Sequence, residues 1–227
     1  MKLAIFADYD GTITIEDTVD LVLDTYGAAD WRETSHRLDA EDVGDIERMS
    51  AEFAGLNVSR KAVVDLIREK VHIDKTFKKF LDYADSRGWE VVILSQGLRE
   101  SIETVFEKYG INGVEWHANA LGGPDGRLEI EFPERGSVVD EFYRDREGVY
   151  KPGYVRRASR QGFTTVYIGD GITDRDPSEV ADIVFAKRYL KKYMWEKGLE
   201  FIPFETFEEI RRELERRFPA EQPALEE

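Results

Sequence analysis

The chain has 227 residues, of which 41% are hydrophobic and 12% aromatic, and it carries a formal net charge of −15 at pH 7. This length and composition exclude a disordered chain and allow one α/β core with a modest insertion. The negative charge disfavours nucleic acid and anionic membranes as partners, and the absence of cysteine excludes disulfides, thiolate nucleophiles and thiolate metal sites.

The first predicted element is a short buried strand that ends in two acids. The apolar run Leu3–Ala7 predicts the strand, and Asp8-Tyr9-Asp10-Gly11-Thr12 follows at once. Because the chain turns at Gly11, both carboxylates can point into a crevice above the strand. Two neighbouring carboxylates repel each other unless a cation neutralises them, and Mg²⁺ binds carboxylates together with phosphate oxygens. The string therefore predicts phosphoryl chemistry, although a plain turn uses the same residue types.

A helical insertion follows this strand. Apolar residues recur at intervals of three and four, which predicts helices over residues 18–23, 31–38, 46–53 and 62–71. Short polar joints between helices of this length are typical of a small bundle. We therefore expect an inserted helical cap over residues 15–76 and a core made of residues 1–14 and 77–227.

The rest of the chain alternates helices with strands. Runs rich in Val and Ile predict strands at Val91–Leu94, Thr165–Ile168 and Ile183–Ala186, and a hairpin is expected over Val114–Phe132 at the edge of the sheet. Helices are predicted over 77–86, 101–109, 154–159 and 207–218. Alternation of this kind predicts an α/β, Rossmann-like, doubly wound parallel sheet that is covered on both faces.

Three further segments carry polar groups to the place where parallel strands end. Ligands bind at the carboxyl ends of such strands. Ser95-Gln96-Gly97 offers a hydroxyl and the backbone amides that open the next helix, and Gly169–Asp174 offers another carboxylate to the same ion. Lys151 stands before Pro152 at a predicted helix start, where its ammonium can balance the acids and a phosphate. Each segment alone also fits a helix cap, a plain turn or a surface lysine.

Together these segments resemble a known family. Asp8–Thr12, Ser95, Lys151 and Gly169–Asp174 are similar to the four motifs of the haloacid dehalogenase superfamily, and the helical insertion resembles its cap of the phosphoserine phosphatase type. Trp116–Leu121 and Phe185–Leu190 resemble strings of the methionine-salvage branch, the 2-hydroxy-3-keto-5-methylthiopentenyl-1-phosphate phosphatases. The resemblance spans nearly the whole chain and implies an enzyme.

The resemblance implies a covalent mechanism with Mg²⁺. Asp8 would be the nucleophile that forms an aspartyl-phosphate, and Asp10 the general acid for the leaving alcohol and then the general base for water. Asp8 and Asp170 would bind Mg²⁺ directly, and Asp10 through its backbone carbonyl. Asp174 would act through water or by orienting Lys151.

The same resemblance implies the phosphate and substrate contacts. Thr12, Ser95, Lys151 and the backbone amide of Gln96 would hold the phosphoryl oxygens. Asp17 takes the place of the Glu that meets the ammonium group in phosphoserine phosphatases, but an ordinary helix N-cap explains it equally well.

Three departures from the phosphoserine phosphatase pattern make phosphoserine the second choice of substrate. Gly11 stands where those enzymes usually have Ser, and Thr173 where they usually have Asn. Their cap arginine has only a loose counterpart, Arg48. The methionine-salvage enol-phosphate is therefore the first choice.

The expected activity is thus Mg²⁺-dependent hydrolysis of a small phosphorylated metabolite. Phosphomutases share all four motifs, and a non-catalytic phosphometabolite-binding protein is the alternative outside enzymes, although it would be expected to have lost Asp8 or Asp10. The apolar run before Asp8 is too short for a signal-peptide core. We therefore expect a cytoplasmic monomer or homodimer that binds neither nucleic acid nor membrane.

Overall fold

The computed structural model of the protein describes residues 2–41 and 43–219, and a seven-stranded sheet lies at the centre of this part. The strands are β1 Leu3–Ala7, β2 Glu90–Leu98, β3 Glu115–Gly122, β4 Glu129–Glu131, β5 Thr164–Gly169, β6 Ile183–Ala186 and β7 Ile202–Pro203. Their order is β4-β3-β2-β1-β5-β6-β7, and every pair is parallel except β3 with β4. The first strand is therefore central, so the residues that follow β1 lie between the ends of β2 and β5.

Ten helices accompany the sheet in the described part of the chain. Four of them follow β1 in the sequence and precede the remaining elements of the core, namely α1 Thr18–Tyr26, α2 Trp31–Ala40, α3 Asp45–Glu52 and α4 Arg60–Lys70. The others are α5 Phe77–Ser86, α6 Arg99–Tyr109, α7 Lys151–Arg160, α8 Arg175–Val180, α9 Arg188–Lys197 and α10 Phe207–Arg217. The helices predicted from apolar periodicity are confirmed, with ends that differ by at most three residues.

The sheet is covered on both faces, as predicted. Leu3 and Ile5 of β1 belong to a large apolar cluster that includes residues of α5, α6 and α10. Ala4 and Phe6 point to the other face and pack with Val155 of α7. Side chains alternate between faces along a strand, so an apolar residue at every position of β1 indicates a strand buried on both sides.

The chain leaves and re-enters the core through two neighbouring segments. Ile15 N donates to the His72 carbonyl at 2.9 Å, and Asp74 N donates to the Ile13 carbonyl at 2.9 Å. A β-bridge joins Thr14 with Ile73 between them. The four-helix insertion is therefore attached through a short two-stranded connection directly beside the end of β1.

One predicted strand differs from the structure. The strand predicted over Val91–Leu94 continues to Leu98, with a register shift against β3 between Leu94 and Leu98, so residues 95–97 are not a loop that opens a helix. The extension persists because Leu98 still pairs with Asn119 of β3. The hairpin predicted over Val114–Phe132 at the edge of the sheet is confirmed as β3 and β4, and β3 is also the parallel partner of β2.

No helix among the described residues combines the length and the apolar character that crossing a membrane requires.

Candidate active site

Lys151 lies at the centre of a buried polar cluster. Its side chain is fully buried, and its Nζ donates to Asp8 Oδ1 at 2.7 Å, to Asp174 Oδ1 at 2.8 Å and to Thr173 Oγ1 at 3.1 Å. An ammonium group has three protons, so all of them have acceptors. Helix α7 begins at Lys151, with Pro152 in its first turn as predicted.

Asp174 holds this lysine and its own loop together. In addition to Lys151, its Oδ1 accepts from the Tyr167 hydroxyl at 2.7 Å. Its Oδ2 accepts from the backbone amides of Asp170 at 2.9 Å and Gly171 at 2.8 Å. Both oxygens are therefore engaged, which fits an orienting carboxylate better than a direct metal ligand.

Asp8, Asp170 and Asp174 form a compact acidic group. One carboxylate oxygen from each lies within 4.8 Å of the others, and all three residues are buried. Asp170 accepts from Thr12 Oγ1 at 2.8 Å and from Arg188 Nη1 at 3.2 Å. Hard oxygen donors at this spacing are the ligands that Mg²⁺ uses, and Asp8 with Asp170 fit that ion best, because the oxygens of Asp174 already accept four hydrogen bonds while those of Asp170 accept two from the described residues.

Gly11 allows the first motif to pass close to Asp170. Its φ is +74°, a left-handed conformation that favours glycine. A Cβ at this position would lie 2.5 Å from Asp170 Oδ2 and 2.6 Å from Arg188 Nη1. A side chain at Gly11 would therefore displace the Asp170 carboxylate or the Arg188 side chain from their present positions.

Asp10 points away from the acidic group and towards the insertion. Its Oδ1 accepts from the backbone amide of Thr18 at 3.0 Å and from the Thr18 hydroxyl, and its Oδ2 accepts from Ser95 Oγ at 3.2 Å. Thr18 is the first residue of α1, so this carboxylate connects the core to the first helix of the insertion. The two acids of the first motif thus have different surroundings.

Burial sets the protonation behaviour of these acids. Burial, together with the Asp174 carboxylate, raises the pKa of Asp8, while Lys151 opposes this rise. Burial also raises the pKa of Asp10, although the hydrogen bonds from Thr18 and Ser95 act to lower it. Burial and Asp174 raise the pKa of Asp170 to about 6. For Lys151, burial acts to lower the pKa, but Asp174 and Asp8 outweigh it and the pKa is raised, so the lysine is charged.

Ser95 and Gln96 lie in the extension of β2. Ser95 is buried and accepts from Gly97 N at 2.8 Å while it donates to Asp10. Gln96 contributes to the wall of the neighbouring cavity, but its side-chain amide is hydrogen-bonded to the backbone of Val149. The amides expected to open a helix therefore belong to an irregular strand end instead.

A cavity of about 370 Å³ lies over these residues. Its core wall includes Asp8, Asp10, Gly97 and residues 170–175, and its other wall comes from the insertion. The insertion contributes apolar and charged side chains, namely Val19, Trp31, Val43, Met49, Asp17, Asp20, Asp45, Arg48 and Glu52. A small molecule bound there would contact both the acidic cluster and the helical insertion.

Asp17 and Arg48 both line this cavity and both make local contacts. Asp17 accepts from Asp20 N at 3.0 Å and so caps α1, and burial near Asp10 raises its pKa to about 7. Arg48 Nη2 lies 2.9 Å from Asp45 and its Nη1 lies 3.1 Å from Glu52. The N-cap interpretation of Asp17 is thus confirmed, and its place in the cavity wall is compatible with a substrate contact as well.

The sequence reasoning gave no role to three residues of the cluster. Thr18 binds Asp10, Tyr167 binds Asp174, and Arg188 binds Asp170. Arg188 also has a φ of +48°, unusual for a residue with a side chain, and it lies inside the string Phe185–Leu190. Their side chains belong to the same strand ends and helix starts that the motifs identify, but nothing in the sequence shows which partner each one meets.

Comparison with known proteins places the chain among hydrolases. Residues 5–176 match the model of a family described as haloacid dehalogenase-like hydrolase. The chain is 29% identical to "Pdp3-interacting factor 1" of Schizosaccharomyces pombe over 96% of each chain. It is 26% identical to the 2-hydroxy-3-keto-5-methylthiopentenyl-1-phosphate phosphatase of Brevibacillus brevis, over 94% of this chain and 96% of the relative.

Solved structures support the same fold. A phosphoserine phosphatase described as a phospho-aspartyl intermediate analogue superposes with a TM-score of 0.68 at 19% identity, covering 93% of this chain and 98% of the other. A substrate-bound phosphoserine phosphatase superposes with a TM-score of 0.68 at 17% identity, covering 94% and 98%. These likenesses confirm the predicted α/β fold.

Proposed function

Because the chain belongs to the haloacid dehalogenase-like hydrolase family, we propose that it is a Mg²⁺-dependent phosphomonoesterase that forms an aspartyl-phosphate on Asp8. The observation that carries this proposal is the pairing of a fully buried Lys151 with Asp8 and Asp174, beside Asp170 and next to a cavity. A plain turn or an ordinary surface lysine does not account for four charged groups buried together, because burying charges is costly unless they have a use or partners.

In the proposed first step, an Asp8 oxygen attacks phosphorus and the bond from phosphorus to the leaving oxygen breaks. Asp10 donates its proton to that oxygen, so the alcohol leaves neutral. The raised pKa of Asp10 supports this role, since an acid must hold its proton until the leaving group needs it. Its contacts with Thr18 and Ser95 place its carboxylate towards the cap side of the site, where a leaving group would lie.

In the second step, water attacks the aspartyl-phosphate and Asp10 accepts its proton, which releases phosphate and restores Asp8. Lys151 neutralises charge on the phosphoryl oxygens, with Asp174 and Thr173 fixing its Nζ. Thr12 contributes by holding Asp170 through its hydroxyl, and Ser95 by holding Asp10. Asp8 and Asp170 would hold Mg²⁺, and the chemistry it would supply is further charge neutralisation for the transferring phosphoryl group.

The proposed organisation is a core of residues 1–14 and 77–227 with a cap over residues 15–76. The paired connection at Ile13–Ile15 and His72–Asp74 supports this division, since both ends of the insertion leave the core at one place. A cavity with walls from both parts also supports it. Cap opening would admit the phosphoester and release products.

We propose the methionine-salvage enol-phosphate as the first candidate substrate. Support comes from the relative in Brevibacillus brevis and from the apolar side chains of Val19, Trp31 and Met49 in the cap wall, which suit a methylthioalkyl group. L-Phosphoserine is the second candidate, because Asp17 offers a carboxylate to an ammonium group in the same wall.

The test measures phosphate release from p-nitrophenyl phosphate, the methylthio enol-phosphate and L-phosphoserine, with and without Mg²⁺. We expect Mg²⁺-dependent release in the wild type and none above background in a folded Asp8→Asn variant. Unchanged turnover in Asp8→Asn would contradict the covalent role of Asp8. An isomerised ester in place of free phosphate would indicate a mutase, and no release with any divalent metal would favour a binding protein.

A further inference from the structure

The side chain of Gln96 forms two hydrogen bonds with one backbone residue. Its Nε2 donates to the Val149 carbonyl at 2.8 Å, and its Oε1 accepts from Val149 N at 3.2 Å. Both residues are buried, with 8% of Gln96 exposed and none of Val149. An amide that donates and accepts at one residue satisfies both backbone groups in the way a neighbouring strand would.

The residue held in this way lies two positions before Lys151. The Val149 carbonyl that accepts from Gln96 also accepts from Lys151 N at 2.9 Å. One carbonyl therefore connects the Gln96 side chain with the backbone of the lysine. Because Asp8, Thr173 and Asp174 hold the Nζ end, Lys151 is fixed at both ends of its side chain.

Asn119 fixes Gln96 in turn. Its Nδ2 donates to the Gln96 carbonyl at 2.6 Å and lies 3.4 Å from Gln96 Oε1. The segment before Lys151 passes close by, since a Cβ on Gly148 would lie 2.1 Å from Asn119 Oδ1. Gln96 thus has one packed position, between β3 and the segment that leads to Lys151.

We propose that Gln96 is a positioning residue, which sets the place of Lys151 through the backbone of Val149. The proposal rests on the proposed function, in which Lys151 neutralises the phosphoryl oxygens. It assigns to the Gln96 side chain a role different from the phosphate contact expected of its backbone amide. Without the two hydrogen bonds, the lysine backbone is free to shift, and misplacement by about 1 Å can cost as much as about 10²-fold in rate.

The test compares Gln96→Met with Glu100→Met, which introduces the same residue at a matched position. Glu100 is also buried, and its carboxylate accepts from Leu121 N at 3.1 Å, so it too holds a backbone amide. Leu121 belongs to β3 and carries none of the proposed site residues. Both variants lose hydrogen bonds to a backbone residue, and Glu100→Met also breaks the ion pair with Arg60, but only Gln96→Met loosens the segment before Lys151.

Steady-state kinetics and amide hydrogen exchange are measured on both folded variants. For Gln96→Met we expect kcat to fall about 10- to 100-fold, with little change in KM, and exchange to become faster at Val149 and Lys151. For Glu100→Met we expect kcat close to that of the wild type and unchanged exchange at these two amides. If Gln96→Met does not fold, Gln96→Asn takes its place, because its shorter amide cannot make both contacts.

Two results would overturn the proposal. One is a folded Gln96 variant with wild-type kcat, and the other is unchanged exchange at Val149 and Lys151. If the wild-type protein hydrolyses no phosphomonoester, the proposed function fails by itself. The exchange data then decide whether Gln96 holds this segment, since faster exchange supports the positioning contact and unchanged exchange refutes it.

Discussion

At the scale of single residues, the site depends on a buried charge that is completely partnered. Lys151 has no exposed side-chain surface and meets Asp8, Thr173 and Asp174. Removing one partner of a buried ion pair costs about 3–5 kcal/mol, because the other charge is left uncompensated. The sequence predicted that this lysine would balance the acids, since it starts a helix beside the strand ends. It did not predict Thr173 as a third acceptor.

The direction of each side chain was less predictable than its place. Parallel strands end at one edge of the sheet, so Asp8, Asp10 and Asp170 could be expected together from strand positions alone. That rule does not show where a side chain turns. Gln96 was expected to offer its backbone amide to phosphate, but its side chain binds Val149, a residue distant in the sequence.

Asp17 provides a pH test at this scale. Burial raises its pKa in the folded protein to about 7, above the value near 4 of an unfolded chain. The folded state therefore holds a proton that the unfolded state has lost, so the stability from Asp17 is present at low pH and disappears as pH rises towards 7. Asp17→Asn keeps an N-capping side chain without this titration.

Because part of the Asp17 side chain is exposed to solvent, which screens its charge, we expect the free energy of unfolding of wild type, relative to Asp17→Asn, to fall between pH 5 and pH 8 by no more than about 1 kcal/mol. Urea unfolding at a series of pH values measures this difference. Acids far from Asp17 titrate in both proteins, so their effects largely cancel, whereas the charge of Asp10 acts on Asp17 directly and contributes to the difference. A difference that does not change with pH would show that Asp17 has an ordinary pKa.

At the scale of elements, the extension of β2 is the main departure from the sequence prediction. Residues 95–97 contain Ser and Gly, which are typical of turns. They remain in the strand because Leu98 pairs with Asn119 after the register shift. A long-range partner on β3 therefore overrides the local preference, and such a partner cannot be identified from the spacing of apolar residues.

The irregular strand end makes Gly97 important for Asp10. A Cβ on Gly97 would lie 2.1 Å from Asp10 Oδ2 and 3.1 Å from Ser95 Oγ. We expect Gly97→Ala to fold, because its φ is not in the left-handed region, and to displace the Asp10 carboxylate. Loss of general acid help is worth about 10²–10⁴-fold, so turnover of esters with poor leaving groups should fall most.

The measurement compares kcat for p-nitrophenyl phosphate with kcat for an alkyl phosphate. Gly27→Ala is the matched control, since its Cβ would lie 2.5 Å from the Leu23 carbonyl, a contact within α1 and its cap. We expect this control to lose stability but to keep the same ratio between the two substrates. Equal loss on both esters in Gly97→Ala would argue against Asp10 as the proton donor.

At the scale of the whole molecule, topology brings the site together. The sheet order places β1 between β2 and β5, so the segments after these strands meet above the centre of the sheet. The alternation of helices and strands predicted this class of fold, and the long helical stretch predicted the insertion. Apart from Asp17 and Arg48, the side of the cavity wall formed by the insertion was beyond prediction, because it depends on how the four inserted helices pack over the sheet.

The proposed Mg²⁺ site at the buried acidic group predicts that the stability of the whole protein depends on Mg²⁺. An ion that binds only the folded state stabilises it by about 2.7 kcal/mol at one hundred times its Kd. For a protein of this size that corresponds to a rise in Tm of about 5–10 °C. We expect this rise in wild type, and its loss in Asp170→Asn, when melting is followed with and without Mg²⁺.

A carboxylate outside the group provides the control for that measurement. Asp65 forms an exposed ion pair with Lys61 on α4. Asp65→Asn should therefore show the same Mg²⁺-dependent rise in Tm as the wild type. An equal rise in Asp170→Asn would mean that Mg²⁺ stabilises the protein at some other place.

The most direct test of the account is detection of the phosphorylated nucleophile. The Asp10→Asn variant is used because loss of the general base slows hydrolysis of the intermediate. It is mixed with a ³²P-labelled phosphate ester that has a good leaving group, and the reaction is then quenched in acid and the protein is digested. The account predicts label on the peptide that contains Asp8 and none when Asp8→Asn is added to the variant. The account would be contradicted if the wild type hydrolyses the ester but the Asp10→Asn protein carries no label at Asp8. Label on another residue would contradict it as well.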